Sequence, residues 1–373
     1  MRGFNPAEYE IDFDVIFFLV TLSLMGMGTV MIFSSSYFVS KELYGTGIAL
    51  IKKHLIHLGI GLCLMLLAMK IDYRRFRSQP LILLALFAGF CALILCFVPG
   101  IGRTAGHACR WVKILSFSFQ ASELMKIALI LYMAYFLSKQ SKDIRDFSSG
   151  VLPILIIVGI ACALIFLEPD FGTAAAIGIW SLLVLFLAGM RIKHLALITL
   201  PLIPLGSILM LAEPYRRARL TAFINPWSDM QGIGYQVIQS MVSFANGGFF
   251  GAGLGQGTQK LFFLPAPHTD FILSVVGEEL GFLGTALVIS LFGLWIWRGF
   301  SIAQATKDSF GFYLVLSSVC LIGLQAIMNM GVAMSVLPTT GIALPFFSYG
   351  GSTLLTTMII SGMILSVSRR ARL

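Results

Sequence analysis

The sequence predicts an all-α polytopic membrane protein: a bundle of ten transmembrane helices with a long, partly re-entrant extracytoplasmic loop between the seventh and eighth. Three observations carry this. The 373 residues are 58% hydrophobic and only 12% charged, a balance foreign to water-soluble globular chains. The apolar residues gather into runs of about 20, the length a helix needs to cross hydrocarbon. The charges fall between those runs, beside lipid headgroups, rather than in a basic block suited to nucleic acid, so no nucleic-acid partner is expected.

The ten runs lie near 13–34, 54–69, 80–98, 121–138, 151–167, 172–189, 194–212, 271–297, 310–333 and 349–367. The first fourteen residues hold one Arg and four acids, and no small-residue cleavage site follows the first run. That run is therefore expected to stay as a helix rather than leave as a signal peptide. With the N-terminus inside, the cytoplasmic side receives fifteen Lys and Arg and the opposite side ten, four of which lie in a long loop that the positive-inside rule discounts. Both termini are accordingly expected on the cytoplasmic side of the membrane.

The chain reads as a single domain over 1–373. Residues 213–270 form its one long extracytoplasmic connection, alternating basic, aromatic and glycine residues, and are expected to fold back onto the bundle. The last extracytoplasmic loop, 334–348, is uncharged and broken by Pro338, Gly341 and Pro345. Irregular backbone at membrane depth must face protein or a wet cavity, so it is expected to line one. Six cysteines form no C-x-x-C pair, and all but Cys109 lie in apolar runs, which argues against a disulfide framework or a cysteine metal site.

The candidate chemistry begins with "LPAPHTDFILSVVGEELG", 264–281, which carries Asp270, Glu278 and Glu279. Asp270 opens the eighth helix, either as a capping acid or as a partly desolvated carboxylate able to take a proton from a hydroxyl. On a regular helix Glu279 lies about 13 Å deeper and roughly 180° around from it, and Glu278 about 80° away. That spacing argues against a paired-carboxylate dyad and favours a structural or cavity-lining role for the glutamates.

Three further stretches add candidates. In "FQASELMKIALILYMAYFLSK", Glu123 and Lys126 share one helix face, either as a neutralised pair or with the lysine free to meet an anion. Arg110 and Trp111 sit just before it, and cations with an interfacial aromatic suit a lipid-linked phosphate. "LEPDFGT" places Glu168 and Asp170 around Pro169, as a helix cap or as a cation or sugar contact. The glycines from Gly247 to Gly257 lack the G-x-x-x-x-G-K-[ST] pattern and read as close packing or membrane re-entry. His268 beside Asp270 is too little for a zinc site.

Together, "CRWVKILSFSFQASELMKIALILY", "LEPDFGTA", the segment from "INPW" through "GYQ" and "GLGQGTQK" to "HTDFILSVVGEELG", and "LPTTGIALPFFSYGGS" resemble the SEDS family of polytopic glycosyltransferases. "NPW", "GYQ" and "GLGQGTQK" look more like its FtsW/SpoVE branch than its RodA branch. The resemblance implies ten spans, both ends cytoplasmic, and polymerisation of lipid II into glycan strands outside the membrane. It implies a class B penicillin-binding protein as transpeptidase partner, among other divisome or elongasome membrane proteins. The family's essential acid maps onto Asp270, and further sensitive positions onto Arg110, Glu123, Lys126, Asp170 and Gln239; Trp111 and His268 join them as expected substrate contacts. No tightly bound cofactor is expected, beyond a Mg or Mn ion held partly by phosphate. The chain departs from the branch at Thr340, where Lys is frequent, at Ala266, where Glu is, and at Asn225, where Asp is.

Asp270 is then expected to act as general base in an inverting transfer. Two other classes stay open at this point: a lipid II transporter with Glu123, Lys126, Glu278 and Glu279 along its route, and a non-catalytic divisome scaffold. Division, cell-shape growth and sporulation are not separated.

Overall fold

Each of the ten predicted segments is helical. The computed structural model describes residues 13–105, 108–114, 117–140, 144–230, 232–261 and 263–371. In order come α1 (Val15–Tyr44), α2 (Ala49–Lys70), α3 (Gln79–Leu95), α4 (Ala121–Lys139), α5 (Leu152–Leu167), α6 (Phe171–Leu187), α7 (Ile192–Ala212), α8 (Pro214–Ile224), α9 (Ile233–Gly247), α10 (Ile272–Ala305), α11 (Ser309–Ala333) and α12 (Gly351–Ser368). Among the described residues eight helical segments are long and apolar enough to cross a membrane, α5 counted with the π-turn before it; α3 and α6 are apolar but shorter. The chain is a multi-pass membrane protein.

The all-α expectation needs one correction. Between α3 and α4 the chain forms an antiparallel sheet of β1 (Gly102–Ala105), β2 (Ala108–Ile114) and β3 (Phe117–Gln120), in that order. Trp111 stands opposite Arg103 on one side and Gln120 on the other. Strands this short leave no long apolar run, so they hide from a search for membrane spans.

The bundle centres on α11, which is buried along most of its length and packs against α4, α6, α10 and α12. Buried indoles lock neighbours together: Trp180 Nε1 of α6 donates to the Ser317 carbonyl at 2.8 Å, and Trp295 Nε1 of α10 to Thr21 Oγ1 of α1 at 3.0 Å. By contrast α7 is apolar and has no buried residue, as suits a helix bathed in lipid. At the end of the bundle where α1 starts and α12 stops, Asp14 accepts from the Phe17 amide at 2.7 Å, capping α1. Its other carboxylate oxygen pairs with Arg298 Nε of α10 at 2.7 Å, and its amide donates to Ser368 Oγ of α12.

Residues 213–270 contain α8 and α9, and α9 lies along α10. The glycine-rich run after α9 fits against α10 where that helix breaks, at Gly281 with φ 67° and ψ −161°. The amides of Phe282 and Leu283 donate to the carbonyls of Gly248 and Phe249, while those of Ala252 and Gly253 donate to Glu278 and Glu279. Backbone groups freed by the break are thus paired with the glycine-rich run. Glu278 accepts from the Thr258 amide and hydroxyl and from the Gln259 amide. Glu279 accepts from Lys260 Nζ at 2.6 Å, Ser34 Oγ at 2.7 Å and the Gly255 amide at 3.0 Å.

A Cβ on Gly281 would lie 2.3 Å from the Gly251 nitrogen, on a backbone that L-residues resist. Gly281→Ala is expected to cost at least about 2 kcal/mol. Thermal unfolding in detergent checks this, with the exposed, uncrowded Gly59→Ala as control.

Candidate functional site

At the end of the bundle away from Asp14 and Arg298, a cavity of about 250 Å³ opens between the start of α6, the end of α7, α8, α11 and residues 338–341. Its charged lining is Arg110 from β2, Asp170, Arg216 and Arg219 from α8, and Asp270. Five charges from four separate stretches of sequence converge there because the sheet, the α5–α6 turn and the long connection all meet at one end.

Asp170 is the N-cap of α6, accepting from the Thr173 amide at 3.2 Å and hydroxyl at 2.9 Å, and Arg110 Nη1 reaches its Oδ2 at 3.3 Å. Asp170 is thus engaged by the helix start and by Arg110, whose guanidinium has further N–H donors. Asp270 is different. The N-cap of α10 is Phe271 and no side chain caps that helix, so the capping role open to Asp270 in the sequence is not the one it plays. Because Asp270 precedes α10, the regular-helix spacing from it to the glutamates applies only from Ile272 onward.

The Asp270 carboxyl is partly buried and forms no ion pair among the described residues. Burial raises it above the ordinary carboxylate range; Arg110 and Arg219 oppose that rise, and Asp170 adds to it. Its backbone is held firmly: Asn329 Nδ2 donates to the Asp270 carbonyl at 2.9 Å and to that of Ile342 at 2.8 Å. Ser348 Oγ donates to the Thr269 carbonyl, and the Tyr349 amide to that of His268. Gly341, at φ 76°, lets the last loop pass close: a Cβ there would stand 3.8 Å from Asp270 Oδ2. A firmly held backbone thus presents an unpaired carboxyl to the cavity, an arrangement that can serve proton transfer.

Glu123 and Lys126 line a separate, smaller pocket of about 40 Å³ that shares Gly341 with the main one. Lys126 Nζ meets Glu123 Oε1 at 2.8 Å, and Thr353 of α12 donates to the same oxygen at 3.0 Å. Trp111, Gln239 and His268 are not among the residues lining either pocket. Gln239 lies on α9; the His268 ring packs edge-on against Tyr349, and burial lowers its pKa. Arg216, Arg219 and Lys260 were the residues that sequence reasoning left as mere loop charges. Pro214 followed by arginines three apart in "PYRRAR" is a helix-start signal that finds the first two.

Glu168, the C-cap of α5, is buried, and neither carboxyl oxygen has a hydrogen-bonding nitrogen or oxygen partner among the described residues. Burial pushes it up to about 8, eased by the Cys96 thiol and Arg110 and reinforced by Asp170. The folded state therefore favours its neutral form, and that contribution, complete below the unfolded pKa of about 4.3, is lost as pH rises toward 8. Relative to wild type, Glu168→Gln is expected to gain thermal stability progressively across that window and to level off above it. A melting-temperature difference that ignores pH would contradict the assignment.

A family profile described as cell cycle protein, covering FtsW, RodA and SpoVE, matches residues 14–373. The chain belongs to this family. Among FtsW, RodA and SpoVE relatives, the probable peptidoglycan glycosyltransferase FtsW of Geobacter metallireducens is 41% identical over 370 residues, 99% of this chain and 97% of that protein. Stage V sporulation protein E of Bacillus subtilis is 38% identical over 361 residues, 96% of this chain and 98% of its own. These are the names of the branch that the motifs resemble. A solved structure described as the structural coordination of polymerization and crosslinking by a peptidoglycan synthase complex superposes with a TM-score of 0.75 at 29% identity, covering 97% of this chain and 99% of that one. The crystal structure of Thermus thermophilus rod shape determining protein RodA gives 0.67 at 25% identity, covering 98% and 99%.

Proposed function

We propose that this chain is a peptidoglycan glycosyltransferase that polymerises lipid II by inverting transfer at the outer face of the bacterial cytoplasmic membrane. Ten spans with both termini cytoplasmic complete this reading, for which α3 and α6 cross as short helices, each with one face on the bundle and an apolar face exposed. The observation that carries it is the unpaired Asp270 carboxyl, held in a charged cavity at the end of the bundle opposite the start of α1 and the end of α12.

In the proposed reaction Asp270 takes the proton from the 4-hydroxyl of the acceptor sugar as that oxygen attacks the anomeric carbon of the donor. The bond from that carbon to the diphosphate breaks, and the lipid diphosphate leaves. A sugar hydroxyl is a weak nucleophile, so proton removal in the transition state is worth about 10²- to 10⁴-fold. Direct inversion needs no covalent intermediate and hence no second carboxylate close to the first. Arg110 and Lys126 are the proposed cations for charge growing on the leaving group. Gln239, Trp111 and His268 stand off the cavity, so any part they take in substrate binding would lie outside its lining.

No three His, Cys, Asp or Glu side chains converge into a metal site among the described residues. Asp170 and Asp270 both line the cavity, and Mg is commonly held by one or two carboxylates together with phosphate oxygens, so a Mg or Mn ion in this reading would be held partly by the substrate diphosphate. The transporter alternative is less well supported: Glu278 and Glu279 are engaged by the glycine-rich run and Lys260, and line neither pocket.

A class B penicillin-binding protein is the proposed partner, in a divisome or elongasome assembly serving cell division or cell-shape growth. Purified protein incubated with lipid II, with and without that partner, is expected to yield glycan chains. Headgroup translocation into vesicles without polymer would instead favour the transporter, and neither activity would favour the scaffold.

A further inference from the structure

The cavity holds more positive charge than its carboxylates match. Arg110 is paired with Asp170, whereas Arg216 and Arg219 line the same cavity and form no ion pair among the described residues. They stand three residues apart on α8 and so face the same way, about 5–6 Å apart at Cβ. Arg217 between them is exposed and does not line the cavity.

Both guanidiniums are held without being used up. The Arg216 guanidinium lies 4.7 Å from the Phe166 ring centre and 5.5 Å from that of Phe171, and its Nη1 donates to the Leu209 carbonyl at 3.0 Å. Arg219 donates through Nη1 to the Thr339 carbonyl at 3.1 Å and through Nη2 to Tyr215 Oη at 2.6 Å. An arginine has five N–H donors, so each keeps several for a ligand, in a plane already set. Two planar forks one helical turn apart, beside an exposed apolar helix, suit an anion with two adjacent phosphates on a lipid tail.

We propose that Arg216 and Arg219 form the binding site for the diphosphate of a lipid-linked substrate, in the cavity that the Arg110–Asp170 pair also lines. This rests on the lipid II reading above and adds to it the residues that grip the leaving group. A purely structural role is the competing account: Arg216 would only satisfy the end of α7, and Arg219 would only tie α8 to the last loop. Glutamine separates the two, because it keeps an N–H donor for a carbonyl but loses the charge and the fork.

The test uses the full chain in nanodiscs with three probes: a long-chain polyprenyl diphosphate, the matching monophosphate, and inorganic pyrophosphate. Binding is measured directly and by competition with lipid II polymerisation, with melting temperature recorded for every variant. Arg216→Gln and Arg219→Gln are each expected to weaken polyprenyl diphosphate binding and raise the KM for lipid II by about tenfold, and the double variant by more. Arg217→Gln is expected to leave both unchanged, and the monophosphate to bind more weakly than the diphosphate.

Double-variant binding within twofold of wild type, at an unchanged melting temperature, would overturn the proposal. So would inorganic pyrophosphate competing as well as the lipid. Should the glutamine variants unfold, Arg216→Lys and Arg219→Lys keep the charge without the fork; loss of binding in these folded variants supports the proposal, and wild-type binding sinks it. Arginine-dependent binding without polymer in wild type would count against the glycosyltransferase reading alone. Normal polymerisation with an unaltered KM in the double variant would count against this site alone.

Discussion

Asp270→Asn is expected to lower glycan polymerisation by at least about a hundredfold while lipid II binding persists. Asparagine preserves the shape of the side chain and the backbone hydrogen bonds from Asn329 and Ser348 that hold residues 269 and 270, so the cavity should keep its form. What is lost is the acceptor for a proton. Polymer length on gels, read beside lipid II retention in nanodiscs, separates a missing base from a missing site. Polymerisation within a few-fold of wild type would remove Asp270 from the chemistry.

The second large effect lies away from the cavity. Lys260→Met is expected to destabilise the protein by about 3–5 kcal/mol, because it strands a buried carboxylate. Glu279 is fully buried and Lys260 nearly so, with Lys260 Nζ also donating to Ser34 Oγ at 2.8 Å. That group of three joins α1, the glycine-rich run and the break in α10. Adding Glu279→Gln to Lys260→Met removes the stranded charge, so the double variant should regain part of the loss in thermal unfolding. A double variant worse than the single would mean that the hydrogen bonds of Glu279, rather than its charge, hold the run in place.

Apolar runs made the long helices legible, eight of them long and apolar enough to cross a membrane among the described residues, because hydrocarbon punishes any other arrangement of the backbone. The same search was blind to β1–β3, whose pairing depends on partners several residues away in short strands. It also treated 213–270 as connection, although Pro214 and the arginine spacing mark α8 and the periodicity after Gly232 marks α9. At the site, Asp270, Arg110 and Asp170 were readable from residue type and position near the ends of apolar runs. That Arg216 and Arg219 meet them was not, since the contact depends on how α8 folds across the opening of α6. The break in α10 at Gly281 was equally hidden: "GEELG" reads as uninterrupted helix until the glycine-rich run is laid against it.

The glutamates illustrate the difference between counting charges and placing them. Intramembrane acids suggest a route or a reaction. Here Glu278 and Glu279 gather the amides of a loop that otherwise has no helix or strand to satisfy it, whereas the acid at the boundary faces the cavity.

The most direct measurement is kcat/KM for lipid II polymerisation as a function of pH. A general base acts when ionised, and burial raises Asp270, so activity should fall with decreasing pH through an apparent pKa above the ordinary aspartate value of about 3.9. Asp270→Asn should leave only a residual rate without that acid limb. The same limb retained in Asp270→Asn would contradict the assignment of Asp270 as the base, and a limb at the ordinary carboxylate position would contradict the burial that raises it.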